Sequence, residues 1–460
     1  MKKAHLFSLI PFGIFVAFAI GLSFVGGVNI SLLIAVGILA ILIGAFLHRD
    51  SQAYWQTIFD YFGSRTAMTA VLLWLIVGVY GNILKDGHLV DGLVLAASQW
   101  GVGPSSFTLI VFLFSALFAF STGTGFGTIS AMSLTLFPAG VTLGAAPALL
   151  GGAILSGASF GDSISPISDT AIIAASTQEY PQQERLADIA GSIRHRLPLV
   201  AIAFLLAGTA FAIASFSSTA GTSVSVSLSD EASKGLLLLL PTFIIILLSF
   251  FGINIFLTLF VGILTSIVLG FGFHLFDTQQ IDCVCNDQVF DAIVNGISGM
   301  TDICILLMVV VSLSGIFIRS GCMDAIVEYL TSKVCPTVRG AELLILMLVA
   351  LSGILVAAVN TIANICVAPF VNSIGLRYDL HPYRRTTLLS TVVCTFPFVL
   401  PYGGCALLLQ KGVEASGCNI ELQTTDIFLT AFYPWALLVV IFIATLIKNK
   451  RKILCTGLPI

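Results

Sequence analysis

Long apolar runs separated by short polar punctuation dominate this chain. A helix that crosses a membrane needs about 20 consecutive apolar residues. The segments 6–25, 29–47, 68–84, 105–120, 121–139, 143–158, 197–216, 235–251, 253–273, 300–318, 340–358, 359–374, 385–400 and 427–447 approach that length. They are apolar all round rather than alternating, which predicts helices and not the strands of a β-barrel. Two further regions, 160–178 and 401–413, are interrupted by Pro, Gly and polar residues and predict broken or re-entrant helices.

Composition narrows this to an all-α polytopic membrane protein. Of the 460 residues 57% are hydrophobic and only 9% charged, against about 25% charged in a soluble domain. The net charge of −3 argues against a nucleic-acid partner. Met1-Lys2-Lys3 before an apolar run imitates a signal peptide, but no small-x-small site follows, so the run is read as a first span. Lysines and arginines set orientation. One threading puts Lys2, Lys3, Arg49, Arg65, Arg185, Arg194, Arg196, Arg319, Lys333, Arg339, Arg377, Arg384, Arg385 and the basic tail Lys448–Lys452 in the cytoplasm, together with both termini. The Ser/Thr-rich 217–233 and the acidic loop 277–291 then lie outside, with Lys85 and Lys411 as exceptions. The stretch 179–196 reads as a charged surface helix that connects spans. Cys283 and Cys285 are the one close cysteine pair, and packing is the simplest reading of the cysteines.

Internal matches recur at nearly one offset. Gly81–Gly87 matches Gly315–Gly321 at 234. Asp91 and Pro104 match Asp324 and Pro336 at 233 and 232. Pro166–Ala171 matches Pro401–Ala406 at 235. Counting spans, equivalent segments cross in opposite senses. The expected organisation is an inverted-topology repeat whose broken helices meet near the bilayer midplane: residues 1–216, an extracytoplasmic linker 217–234, a second repeat 235–447 and a cytoplasmic tail 448–460.

Chemistry concentrates in Ser156–Thr170, where two carboxylates, five serines and Pro166 interrupt an apolar background. Pro166 lacks a backbone donor and pushes Ser165 away from helical angles. Ionisable groups at membrane depth are functional candidates by default. Asp162 and Asp169 are expected to converge on one cavity, where two carboxylates cannot both stay charged without a counter-charge. One takes a proton or both take a cation, so the two ions compete. An N-cap role is the structural alternative for either acid. Ser165, Ser168 and Thr170, with Asn360, Thr361 and Asn364 from the second half, are expected to complete a shell of neutral oxygens for a hard cation. No basic residue lies within the predicted core spans; Arg384 and Arg385 stand at the start of one. The Thr122–Thr128 run, with Thr122 and Thr124, either packs helices closely or breaks a span to line the cavity. Tyr402 is a cavity-lining candidate in the second half.

The pattern Ser156-Gly157-Ala158-x-Phe160-Gly161-Asp162-x-x-Ser165-Pro166-x-Ser168-Asp169-Thr170 resembles the NhaC family of sodium/proton antiporters, within the ion transporter superfamily. The resemblance implies exchange of Na⁺ for H⁺ across a bacterial inner membrane, with both ions as substrates and Asp162 and Asp169 as the transient Na⁺ ligands. It implies no cofactor and no enzymatic activity, and it allows a homodimer. Relatives pair an Asn with an Asp near the second break; here Asn360 and Asn364 stand without a carboxylate. The alternative is a Na⁺- or H⁺-coupled exchanger of malate- or lactate-like anions on the same scaffold. An intramembrane protease is disfavoured, because every histidine lies at a span end or in a loop.

Overall fold

The computed structural model describes residues 3–25, 30–48, 50–180, 183–217, 230–251, 253–276, 287–320, 337–356, 359–418 and 420–447. Most of the 217–233 and 277–291 loops, Cys283, Cys285, the repeat positions Gly321, Asp324 and Pro336, and the tail 448–460 lie outside the described residues, as do Lys2, Arg49 and Lys333.

The first half runs α1 (Lys3–Val25), α2 (Ile30–Leu47), α3 (Ser51–Phe62), α4 (Arg65–Asp86), α5 (Leu89–Gln99), α6 (Pro104–Thr122), α7 (Gly125–Leu134), α8 (Leu136–Thr142), α9 (Pro147–Ile164) and α10 (Asp169–Ser176). A small hairpin of β1 (Glu179–Tyr180) and β2 (Gln183–Leu186) leads into α11 (Ile189–Ser217). The second half runs α12 (Asp230–Gly235), α13 (Leu239–Phe250), α14 (Ile255–Gly272), α15 (Asp287–Arg319), α16 (Val338–Leu355), α17 (Asn360–Arg377), α18 (Pro382–Val393), α19 (Phe396–Val399), α20 (Gly404–Ser416), α21 (Thr424–Thr430) and α22 (Phe432–Leu446).

Among the described residues, seven helical stretches are long and apolar enough to cross a membrane. Two pairs bent by 41° and 48°, α18–α19 with α20 and α21 with α22, bring the number to nine. The chain is a multi-pass membrane protein. The expected spans at 121–139, 143–158 and 359–374 are not among these stretches. The first is divided between α7 and α8, and α9 is almost wholly buried, so its glycines and serines meet protein rather than lipid. The 179–196 stretch is not a surface helix either. It is a hairpin followed by the first turns of α11.

Duplication shows in the element boundaries. Helices starting at residues 125, 147, 169 and 189 recur as helices starting at 360, 382, 404 and 424, each 235 positions later. That is the offset at which Pro166 aligns with Pro401, and both prolines lie in breaks.

Two features fix the part of the fold that matters for the site. Helix α9 packs along α6 through glycines spaced four apart, so that they share a face. A Cβ on Gly157 would lie 2.5 Å from the Phe112 carbonyl oxygen, and one on Gly161 would lie 2.4 Å from the Phe120 nitrogen. Small residues of this kind let membrane helices approach backbone to backbone. The second feature is a latch between the halves beyond α10. The Gln178 amide donates to the Ala368 carbonyl at 3.2 Å. Glu179 N donates to Asn372 Oδ1 at 3.0 Å, and Arg385 donates both to Asn372 Oδ1 at 2.6 Å and to the Glu179 carbonyl. The Tyr383 hydroxyl donates to Asp188 Oδ1, and Gly191 N donates to Asp188 Oδ2 at 2.6 Å. Asp188 precedes the membrane span. The Tyr383 hydroxyl, aided by the Gly191 amide, holds its carboxyl below the usual carboxylate range.

Gly161→Ala is expected to lower the thermal midpoint in detergent, since overpacking typically costs about 1–3 kcal/mol. Gly13→Ala, with nothing within 4 Å of the new Cβ, is the control. Equal midpoints for the two variants would contradict the close α6–α9 contact. Asp188 has a depressed folded value, so its stabilisation is present above the ordinary Asp value of about 4 and is lost as pH falls through the folded value. Asp188→Asn should therefore melt below wild type at neutral pH, and the gap should close in acid. A gap that persists unchanged below about pH 3 would show that the latch does not depend on this charge.

Candidate functional site

Four interruptions of helix surround one point in the bundle. Helix α6 stops at Thr122 because Gly123 takes a left-handed φ of 67°, which favours glycine, and returns its N–H to the Ala119 carbonyl at 2.9 Å. Thr124 then caps α7, its hydroxyl accepting from Gly127 N at 3.3 Å. Helix α9 stops at Ile164. Ser165 is extended (φ −66°, ψ 131°) as the proline after it demands. Ser168 is extended as well, and α10 restarts at Asp169. In the second half α17 begins at Asn360 after extended Val359 (φ −142°, ψ 118°), and Pro401 lies between α19 and α20. Asp162 therefore sits in the last turn of α9 and caps nothing. Asp169 is the first residue of α10, with Ser168 in the cap position.

The buried Asp162 side chain is where three of these interruptions meet, those after Thr122, after Ile164 and before Asn360. Its Oδ1 accepts from the Ser168 hydroxyl at 2.6 Å, and its Oδ2 accepts from Asn360 Nδ2 at 3.0 Å. The Cys394 thiol stands 3.7 Å from Oδ2 and 3.5 Å from Thr170 Oγ1. Ser168 and Thr170 share a hydrogen bond of 2.9 Å, and Asn364 Nδ2 donates to the Thr170 carbonyl at 2.9 Å. On the α7 side, a Cβ at Gly125 would come within 3.6 Å of Asp162 Cβ and 2.6 Å of the Phe398 ring, so only glycine fits.

A carboxylate and a carbonyl can only accept, so each asparagine must turn its amide nitrogen toward them. The amide oxygens then point elsewhere. Asn360 Oδ1, Asn364 Oδ1 and Ser165 Oγ are all buried and have no hydrogen-bond partner among the described residues. Buried polar atoms are normally satisfied. Three unsatisfied oxygens on residues bracketing one buried carboxylate make a set of donors suited to a small hard cation.

The other expected residues are placed as follows. Asp169 does not share the interior with Asp162. The turn at 165–168 carries it to the surface, beside exposed Pro166 and Ile167 and within hydrogen-bonding reach of the Thr361 hydroxyl. The two acids remain near enough for their charges to interact. Thr122 donates to the Phe118 carbonyl of its own helix at 2.9 Å, and Thr124 is occupied as a cap. The Tyr402 hydroxyl donates to the Ile354 carbonyl at 3.2 Å, bridging the two second-half breaks.

Two arginines that the sequence reading put in the cytoplasm have fully buried side chains, Arg385 in the latch and Arg196. Arg196 was expected on a surface connector, with no basic residue in the core. It is instead a fully buried side chain inside α11, and it carries charge close enough to act on Cys394, Tyr433 and Asp162. A signal existed. Ser192, Arg196, Val200, Ala203, Ala207, Phe211 and Ser215 form one buried stripe at helical spacing, and Arg196 falls on it.

A family model described as the Na⁺/H⁺ antiporter family matches residues 1–208 and 186–447. Among curated relatives, the malate-2H⁺/Na⁺-lactate antiporter of Bacillus subtilis is 29% identical over 154 residues, covering 34% of this chain and 31% of that protein. The Na⁺/H⁺ antiporter NhaC of Alkalihalophilus pseudofirmus is 24% identical over 279 residues, covering 57% of this chain and 56% of that one. The chain thus spans less than two thirds of the length of these relatives. Among solved structures, the YdaH transporter of Alcanivorax borkumensis is 14% identical, with a TM-score of 0.46 over 87% of this chain and 89% of that one. That likeness is too loose to carry mechanism across.

Proposed function

The chain belongs to the Na⁺/H⁺ antiporter family, and on that footing we propose that it exchanges Na⁺ for H⁺ across a bacterial inner membrane, with Asp162 as the group that takes either ion. The observation that carries the proposal is the buried Asp162 carboxylate, hydrogen-bonded only by neutral groups, with unsatisfied buried oxygens (Ser165 Oγ, Asn360 Oδ1 and Asn364 Oδ1) on residues of the adjoining breaks. A lone buried carboxylate is costly while charged. Sodium would neutralise it and draw on the neutral oxygens; a proton would neutralise it without them. The oxygens therefore give the metal ion a reason to compete, and the competition couples the two fluxes.

Asp169 has a different part in this scheme. Exposed and paired with Thr361, it receives an ion from solution and hands it inward through the Ser168–Thr170 pair. Ser165, Ser168, Thr170, Asn360 and Asn364 supply the inner ligands, and Thr361 the outer one. The duplicated halves, 1–216 and 235–447, act as inverted repeats that open the site to one side and then the other. Both termini lie in the cytoplasm, and Na⁺ and H⁺ are the substrates with no cofactor. The malate–lactate exchanger among the relatives keeps organic anions as the second reading. It is separated from the first by whether flux needs such an anion.

Everted vesicles loaded with a pH-sensitive dye give the test. Wild type should collapse the proton gradient on adding Na⁺ with no malate or lactate present. Asp162→Asn should abolish that response. Asn360→Ala should raise the half-saturating Na⁺ roughly tenfold, in line with the ~1.5–3 kcal/mol of a hydrogen bond to a charged group. Asp169→Asn should also raise it while leaving residual exchange. Near-wild-type exchange by Asp162→Asn, or a strict requirement for malate, would overturn the proposal.

A further inference from the structure

Cys394 touches the Asp162 carboxylate, yet the scheme above gives it no part. Its backbone is held on both sides. The Cys394 N–H donates to the Ser390 carbonyl at 3.3 Å, and the Cys394 carbonyl accepts from the Ser159 hydroxyl at 2.8 Å. Ser159 and Cys394 are equivalent at the 235-residue offset, so the two halves meet at this contact. Ser159 and Asp162 are neighbours on one face of α9. The fully buried Cys394 thiol is thereby set against the carboxylate, 3.7 Å from Oδ2 and 3.5 Å from Thr170 Oγ1.

These contacts close a ring of four side chains. Asp162 Oδ1 meets Ser168, Ser168 meets Thr170, Thr170 meets Cys394, and Cys394 meets Asp162 Oδ2. Each link needs one proton. A carboxylate only accepts, so Ser168 gives its single proton to Oδ1, and the Ser168–Thr170 link must carry the threonine proton. The thiol proton alone remains for two links; it goes to Thr170 or to Oδ2 but not to both. With Asp162 charged, the ring thus has three protons for four links. A proton on Oδ2 supplies the fourth. The acid then donates to sulfur, the thiol to Thr170, Thr170 to Ser168 and Ser168 to Oδ1. All four bonds run the same way round, so each polarises the next. Sulfur is a weak donor and a weak acceptor and can fill both roles.

We propose that Cys394 is the partner of the exchanged proton: its thiol donates to Oδ2 while Asp162 is charged, and turns to Thr170 when a proton on Oδ2 fills that link instead. This rests on the exchange reading above and adds to it which oxygen holds the proton and which group answers its arrival. The thiol stays neutral throughout; the proton that enters from solution or leaves to it is the one on Asp162. Both links of Cys394 cross between the halves, so protonation raises the filled cross-half links of the ring from one to two. Other ionisable groups whose charge reaches Asp162 or Cys394 are Asp169 on α10, Arg196 on α11, Cys405 on α20 and Tyr433 on α22. Helices α6 and α7 carry none, and α17 faces the ring with the amides of Asn360 and Asn364. All of these stay the same in the Cys394 variants below, so they set the absolute pH of the response and not the differences.

Infrared difference spectra of the purified protein in detergent read the S–H stretch directly. Acid-minus-alkaline spectra without Na⁺ should show an S–H band that shifts as Asp162 titrates. That shift should vanish in Cys394→Ala and in Asp162→Asn. Proton release driven by Na⁺ adds a pH profile. Cys394→Ala removes a donor from the charged form, so its midpoint should move up by about half to one pH unit. Cys394→Ser keeps a donor and an acceptor and should lie nearer wild type. An S–H band that ignores protonation, or a shift that survives in Cys394→Ala or Asp162→Asn, would overturn the proposal. So would a Cys394→Ala profile that matches wild type, or one that Cys394→Ser shares in full. Failure of Na⁺ to release protons from wild type would sink the exchange reading instead, and the infrared shift without Na⁺ would still report on the ring.

Discussion

Asp162 holds a carboxylate in a place where protein, not water, must satisfy it. Two hydrogen bonds and a thiol contact from Ser168, Asn360 and Cys394 are all it receives in return for lost hydration. Neutral donors of this kind ease a negative charge without cancelling it. On the proposed reading, the remaining imbalance is what makes the site responsive, because an arriving small cation meets an uncancelled charge. A fully paired acid at this position would be stable and inert.

The rest of the fold reads as the means of presenting that one side chain. Breaks at Gly123, at 165–168 and just before Asn360 let Gly125, Ser168 and Asn360 approach the carboxylate from different helices. The 235-residue repeat explains why the breaks come in corresponding places, and divergence explains why the chemistry does not. Gly125 and Asn360 are equivalent by that offset and both lie beside Asp162. The first contributes space and the second an amide. Asp169 is equivalent to Gly404, so the outer acid belongs to one half alone. Close packing at Gly157 and Gly161 seats α9 on α6 within the first half, and the latch from Glu179 and Asp188 to Asn372, Tyr383 and Arg385 ties the two halves together beyond the site.

Much of this was legible in the chain itself, for identifiable reasons. An acid flanked by serines and Pro166 within an apolar background announces both a break and a site. Asn360 and Asn364 stand out in the same way, and the structure brings both to the Asp162 neighbourhood. The direction in which Asp169 leaves the break could not be read, because the extended Ser165 and Ser168, one on each side of Pro166–Ile167, reset the helical phase. Arg196 was hidden for another reason. Arg194, His195 and Arg196 read as the end of a charged surface helix, yet they lie in the first turns of α11, and only one of the two arginines turns inward. For Thr122–Thr128 the chain left close packing and a break both open; the structure has a break there, with the Thr122 and Thr124 hydroxyls bonded to backbone atoms beside it.

The central claim is that one carboxylate binds Na⁺ or a proton but not both. The most direct measurement is proton release: add Na⁺ to purified, weakly buffered protein in detergent and follow a pH indicator, with choline as the control salt. The account predicts that Na⁺, and not choline, drives protons off the protein, with a midpoint equal to that of Na⁺ binding. Sodium binding with no accompanying acidification at any pH tested would contradict it.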